Sequence, residues 1–401
     1  MYFVGDFMKV KIEKYDDLGQ GIAYIDNKIC FIKNGIVGEE LDIDIVKSNK
    51  NYNIGKIKKI ISQSNLRENS ICKYYNECGG CNFLHLKKEE EINFKINRYK
   101  NYFSKFDYFY KTLDYNYRNK VVLHVKNGKY GFYQEKTNNL IKIDYCYLVK
   151  NKINDIILLL NSNVDNNFSG TVTIRVNSNN ESLVSITGVY KYINNLLDSD
   201  LIDNLIDNEK VIKGNDYFYE YLNNYKFKVN YKSFFQVNIK GLEIINNILE
   251  EFLKDKNINK SLDLYSGTSV LGIFLSKYVK SVTSVEFNKN ASWDAKENIK
   301  INNINNLKVI NGLVEDYIDS FQDIDLIILD PARRGLDKKT ISYLKKIKSK
   351  YLIYIACSID SLKRDLKELS DTYKLHKLFG IDMFPNTNNC ESVAILNLQN
   401  E

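Results

Sequence analysis

Cys357 stands directly after a strand-like run, in Tyr354-Ile-Ala-Cys-Ser-Ile-Asp-Ser-Leu-Lys-Arg-Asp-Leu366. A thiol between the carboxyl end of a strand and the start of a helix is placed for nucleophilic chemistry. That setting is expected to lower its pKa and favour thiolate. Glu391 stands just before the last strand-like run, after Asp382-Met-Phe-Pro-Asn-Thr-Asn-Asn-Cys390. A carboxylate delivered to the same rim is a general-base candidate. Asp330 ends another strand-like run, in Asp330-Pro-Ala-Arg-Arg-Gly-Leu336. Each has a plainer reading by position alone: a buried cysteine, a surface charge, and a helix cap.

A second group of residues has the marks of a nucleotide-type cofactor site. Leu262-Asp-Leu-Tyr-Ser-Gly-Thr-Ser-Val-Leu-Gly272 reads as a strand followed by a glycine turn, and the next strand ends on Glu286. Ligands of doubly wound sheets sit outside the carboxyl ends of the strands, and an acid at that place accepts from ribose hydroxyls. The full G-x-G-x-x-G pattern of dinucleotide folds is absent. S-adenosylmethionine fits this turn better than NAD. A thiol and a base beside a methyl donor suit one reaction in particular. Carbon 5 of uracil is a poor nucleophile until a thiolate adds to carbon 6. A base must then remove the carbon 5 proton so that the thiolate leaves.

A third group is Cys72-x5-Cys78-Gly-Gly-Cys81, and Cys146 is the best fourth ligand. Clustered thiolates of this kind hold zinc or iron–sulfur. An odd total of seven cysteines, without a secretion signal, argues against a disulfide framework.

The elements that must position these residues follow from pattern. The C-terminal part, from about residue 240, alternates strand and helix strictly. The strands are expected at 261–265, 281–286, 307–311, 325–330 and 350–356, with two more at 374–380 and 392–398. Such alternation predicts a mostly parallel, doubly wound α/β sheet. Residues 8–60 hold five short strand-like runs divided by turn signals, which suggests an OB-type barrel that binds single-stranded nucleic acid. Between them lies an α/β segment, with strands at 120–125, 171–176, 183–187 and 226–230 and helices at 87–103, 153–160 and 193–206. The expected domains are 1–60, 61–235 and 236–401. Residues 1–150 carry 26 Lys and Arg against 18 Asp and Glu, a net of +8, while the whole chain nets +7. A basic first third suits a polyanion, although a solvated basic surface reads the same by charge alone. No apolar run long enough to cross a membrane occurs, and the N-terminal MYFVGDFMKVKIEK lacks a signal-peptide core. A cytoplasmic monomer is expected.

The chain resembles the RNA uracil-5 methyltransferase family along nearly its whole length. IACSIDSLKRDL is similar to the family's nucleophile motif, and FPNTNNCESVAIL to its final motif. The resemblance implies Cys357 as nucleophile and Glu391 as base. SFFQVN at 233–238 implies Gln236 as a cofactor or uracil contact. DLYSG, SVE and DPARRGL imply Tyr265, Glu286 and Asp330 on the cofactor side. YRNK at 117–120 and GFY at 131–133 match the central domain, and the first 60 residues resemble the TRAM domain, an RNA-binding barrel. The resemblance also implies a four-iron, four-sulfur cluster on Cys72, Cys78, Cys81 and Cys146. Four positions depart from the family pattern: Ser269 for Gly, Ala332 and Ile359 for Pro, and Asn389 for His. The expected target is a uridine of 23S rRNA. The alternatives are the T-loop uridine of tRNA and a non-catalytic RNA-binding or ribosome-assembly factor.

Overall fold

The computed structural model describes residues 7–399. The first six residues, part of the expected barrel and of the segment read against a signal peptide, lie outside the described residues. The chain forms two compact units, residues 7–102 with Asn386–Asn388, and Phe103–Pro385 with 389–399. Segment 61–102, read from sequence with the central domain, therefore lies in the first unit.

The first unit is built on six strands rather than five: Phe7–Lys11, Lys14–Tyr15, Gly21–Ile25, Lys28–Ile32, Glu40–Ser48 and Tyr52–Ser62. Strict alternation along Glu40–Ser48 buries Leu41, Ile43 and Ile45 and leaves Glu40 exposed, the period of a half-buried strand. Gly55 lets two strands close together, because a Cβ there would lie 2.7 Å from Ile43 Cδ1. Buried Glu39 takes both ends of the Arg67 guanidinium at 2.6 Å, which fixes the chain as it leaves the barrel. The helix Lys88–Tyr102 buries Lys95 against Glu91 at 2.6 Å.

The second unit holds three sheets. A seven-stranded mixed sheet contains Lys120–Lys126 paired with Gly170–Val176, covered by the helix Asn151–Ser162. A two-stranded hairpin, Tyr217–Leu222 and Tyr225–Asn230, packs on the helix Lys289–Ile301 through Asn298, Asn302 and Asp294. The third sheet has eight strands in the order Leu307–Asn311, Val279–Glu286, Ile258–Leu264, Leu326–Leu329, Tyr351–Ala356, Glu391–Leu398, Tyr373–Ile381, Tyr108–Tyr110. The first five are parallel, and Glu391–Leu398 enters antiparallel between two of the others. The expected doubly wound α/β sheet is present.

One expected element is corrected. The helix read over 193–206 stops at Leu197, and Asn204–Asp207 is a strand parallel to Ser182–Thr187. Asp198, Ser199 and Asp200 favour turns over helix, and Leu205 and Ile206 are both fully buried, as suits a strand covered on two faces. Among the described residues no helix is long and apolar enough to cross a membrane.

Candidate functional site

A cavity of about 640 Å³ opens at the carboxyl ends of the parallel strands. Gln236, Tyr265, Glu286, Asp330, Cys357 and Glu391 all line it. These are the six residues read from sequence as catalytic or cofactor-side. The volume is that of a small-molecule site.

Strand register places the nucleophile beside the base. Ala356 pairs with Ser392, so the next residue on one strand and the previous one on the other, Cys357 and Glu391, meet at the same edge. Glu391 is 2% exposed and Cys357 is half-buried. Ile359 occupies the first turn of the helix Ile359–Leu369, where a proline is well tolerated but not required. Ser358 caps that helix by accepting from Ser361 N at 3.3 Å.

The turn after Ile258–Leu264 is held from behind. Tyr265, Gly267 and Ser269 all have positive φ, at 63°, 54° and 59°. Ser269 thus adopts at some strain the conformation that glycine takes freely. Its hydroxyl compensates by bonding Ser284 Oγ at 2.7 Å, and Ser284 donates to Asp263 Oδ2 at 3.0 Å. Gly272 is required here, since a Cβ would lie 2.5 Å from Ser269 Oγ and 2.7 Å from Asp263 Oδ2. Glu286 accepts from Gly267 N at 2.8 Å and Asn288 N at 2.5 Å, which locks its carboxylate at the strand end. The Tyr265 hydroxyl meets Thr340 Oγ1 at 3.0 Å. Asn119 donates to the Gln236 carbonyl at 3.1 Å, so the central sheet steadies the Ser233–Asn238 segment.

The electrostatics correct one expectation. Burial, then the charges of Glu391 and Asp330, push the Cys357 thiol up to about 11, against the opposing charge of Arg333. The resting group is a thiol, not the thiolate that a strand end and helix start alone would favour. Burial, then Asp263, raises Asp330 to about 7. Burial, then Asp330, holds Glu391 well above the usual carboxylate range. These two acids and the thiol therefore resist ionising together, and any cation entering the cavity lowers the pKa of each.

Two positioning residues escaped the sequence reading. Asp263 is fully buried, and its Oδ1 has no hydrogen-bond partner; its signal was a lone acid between Leu262 and Leu264 at the end of the strand Ile258–Leu264. Asp365, also fully buried, accepts from Tyr354 OH at 2.7 Å and Leu336 N at 2.8 Å, which fixes the loop after Asp330. Its signal was a charge on the apolar face of the helix that carries Ile359, Leu362 and Leu369.

The cysteine group is divided between the units. Cys72, Cys78 and Cys81 lie in one short loop of the first unit, and Cys146 lies in the second. Burial chiefly, and also Cys72, raises the Cys78 thiol, and a Cβ on Gly80 would lie 3.4 Å from Cys78 Sγ. The donor chemistry of this loop suits a thiophilic metal. Among the described residues no three His, Cys, Asp or Glu side chains form a metal-holding group.

Comparison with known proteins places the chain. Residues 88–399 match the tRNA (uracil-5-)-methyltransferase family, and residues 3–58 match the TRAM domain. A protein described as an uncharacterized RNA methyltransferase of Fusobacterium nucleatum is 30% identical, over 99% of this chain and 97% of that one. Another so described, of Clostridium acetobutylicum, is 29% identical over 97% and 96%. The crystal structure of Pyrococcus abyssi tRNA (uracil-54, C5)-methyltransferase in complex with S-adenosyl-L-homocysteine shares the fold. Its TM-score is 0.81 at 22% identity, covering 97% of this chain and 99% of that one. The match across most of the chain, together with the cavity that gathers the six residues, makes this protein a member of the tRNA (uracil-5-)-methyltransferase family that carries an N-terminal TRAM domain.

Proposed function

We propose that this chain methylates carbon 5 of a uridine in 23S rRNA through a covalent adduct at Cys357, working as a monomer in the cytoplasm. The observation that carries the covalent reading is the adjacency of Cys357 and Glu391 in one cavity. S-adenosylmethionine bound there supplies a methyl group on a cationic sulfonium.

The residues of the chain do the rest. Cys357 first gives its proton to water, the resulting thiolate adds through sulfur to carbon 6, and the electron pair of the carbon 5–carbon 6 double bond moves into the carbonyl as an enolate. The enolate returns that pair to carbon 5, which takes the methyl group. Glu391 accepts the carbon 5 proton, the double bond re-forms, and the carbon–sulfur bond breaks to release the thiolate. A raised pKa makes Glu391 a stronger base once ionised. Tyr265, Glu286 and Asp330 would hold the cofactor side, and Gln236 would contact the cofactor or the uracil. A loop uridine flipped out of its stack reaches such a cavity, and the basic first third holds RNA backbone. Cys72, Cys78, Cys81 and Cys146 would hold a four-iron, four-sulfur cluster, with a role in holding structure or RNA, since methyl transfer needs no electron.

The family description names tRNA, so a tRNA T-loop uridine is the second reading. Mapping 5-methyluridine in a deletion strain complemented with wild-type or Cys357→Ala protein tests the proposal. The expected result is one or more 23S sites restored by wild-type protein only. Loss confined to tRNA would select the second reading, and restoration by Cys357→Ala would overturn the covalent mechanism.

A further inference from the structure

The catalytic cavity does not use a second group of charges in the same unit. Lys120 and Arg175 are register partners on the antiparallel strands Lys120–Lys126 and Gly170–Val176. Residues so paired project from the same face, and like charges there destabilise a sheet. Arg118, two residues earlier, donates Nε to the Lys120 carbonyl at 3.0 Å. No ion pair of the described residues involves any of the three.

Arg175 is the most telling of them. It is 3% exposed, gives Nη2 to the Ser233 carbonyl, and keeps a buried Nε with no acceptor. Asp294 is the carboxylate whose charge acts on it. Asp294 Oδ2 is itself engaged by Ser233 Oγ at 2.7 Å and Asn230 N at 2.8 Å. Burial, then Arg175 and Arg118, pull the Lys120 ammonium down to about 8. A sheet that sets three cations together against the single carboxylate Asp294, itself already bonded, is arranged for an anion from outside.

The cluster also adjoins the cavity. Asn119, between Arg118 and Lys120, bonds the Gln236 carbonyl at 3.1 Å and the Val237 carbonyl at 2.9 Å. Arg175 holds Ser233. The residues between these anchors, Phe234, Phe235 and Gln236, line the cavity.

We propose that Arg118, Lys120 and Arg175 form a phosphate-binding site that grips the RNA backbone beside the uridine held in the cavity. This rests on the reading of the chain as an RNA uracil methyltransferase. A backbone phosphate supplies counter-charge to the part-exposed Arg118 and Lys120, with the buried Arg175 behind them adding its charge. Its place beside the segment Ser233–Asn238 then orients the flipped nucleotide over Cys357.

The test uses the full chain, a uridine-bearing RNA stem–loop transcript, and the variants Lys120→Gln and Lys120→Arg. Binding is measured against salt, methyl transfer as KM and kcat, and thermal melting alongside. Lys120→Gln is expected to weaken RNA binding roughly tenfold at low salt. It should also reduce the slope of log affinity against log salt by about one. KM should rise with kcat held, and melting should stay level or rise because a like-charge pair is gone. Lys120→Arg should restore the slope. Wild-type affinity and slope in Lys120→Gln would overturn the site, as would a fall in melting with RNA affinity kept. Inorganic phosphate bound in a Lys120-dependent way, with RNA affinity unaffected, would reassign the cluster to a free anion and also overturn the proposal. Tighter capture of an acidic peptide than of RNA would do the same. A wild-type protein that binds the transcript with the expected slope yet methylates no uridine in any RNA would fail the functional reading alone.

Discussion

Cys357 and Glu391 depend on each other through charge as well as position. The thiol is held near 11 by burial and by two carboxylates, so its resting reactivity is low. Removing either carboxylate's charge relieves that. Glu391→Gln and Asp330→Asn are each expected to speed iodoacetamide labelling of Cys357 at pH 8 several-fold, since one pKa unit is about tenfold in thiolate. Wild-type labelling should keep rising with pH toward about 11. Site-resolved mass spectrometry reads this residue apart from the other thiols, and slower labelling in both variants would refute the electrostatic account. The meeting of these residues in one cavity was legible in sequence because each follows or precedes a strand at one edge. The direction of the thiol shift was not, because it depends on Glu391 and Asp330, which are distant in the chain and meet only through the sheet. Asp263 and Asp365 stayed hidden for a related reason. Their partners, Ser284 for one and Tyr354 and Leu336 for the other, are set by tertiary packing.

At the scale of elements, regular alternation was the most readable feature. The strands Leu307–Asn311 and Tyr351–Ala356 lie within a residue of where the pattern puts them. The central segment was read less well. Short strands such as Asn204–Asp207 and Leu140–Lys142 have too few residues to show a period, and their partners across the sheet define them. The cysteine loop is an element whose geometry local pattern cannot supply, since its proposed fourth ligand is remote in sequence. Protein purified without oxygen is expected to be brown and to carry close to four irons per chain, and Cys78→Ala or Cys146→Ala should lose that colour and iron. A colourless wild-type protein holding zinc would contradict the cluster.

At the scale of the whole molecule, two units divide the work that the family requires. The first carries the TRAM barrel and the cysteine loop. The second carries the cavity and the sheets that surround it. The charge imbalance between the first third and the rest foretold a polyanion partner but not which unit meets which part of it. The proposed mechanism makes one demand: the same RNA must be bound, attacked by Cys357 and released through Glu391. The most direct measurement is a denaturing gel of Glu391→Gln protein incubated with substrate RNA and S-adenosylmethionine. The account predicts a slow-migrating protein–RNA species that persists because the carbon 5 proton stays in place, and its absence when Cys357→Ala is combined with Glu391→Gln. No RNA-linked band with Glu391→Gln, or a band that survives loss of Cys357, would contradict it.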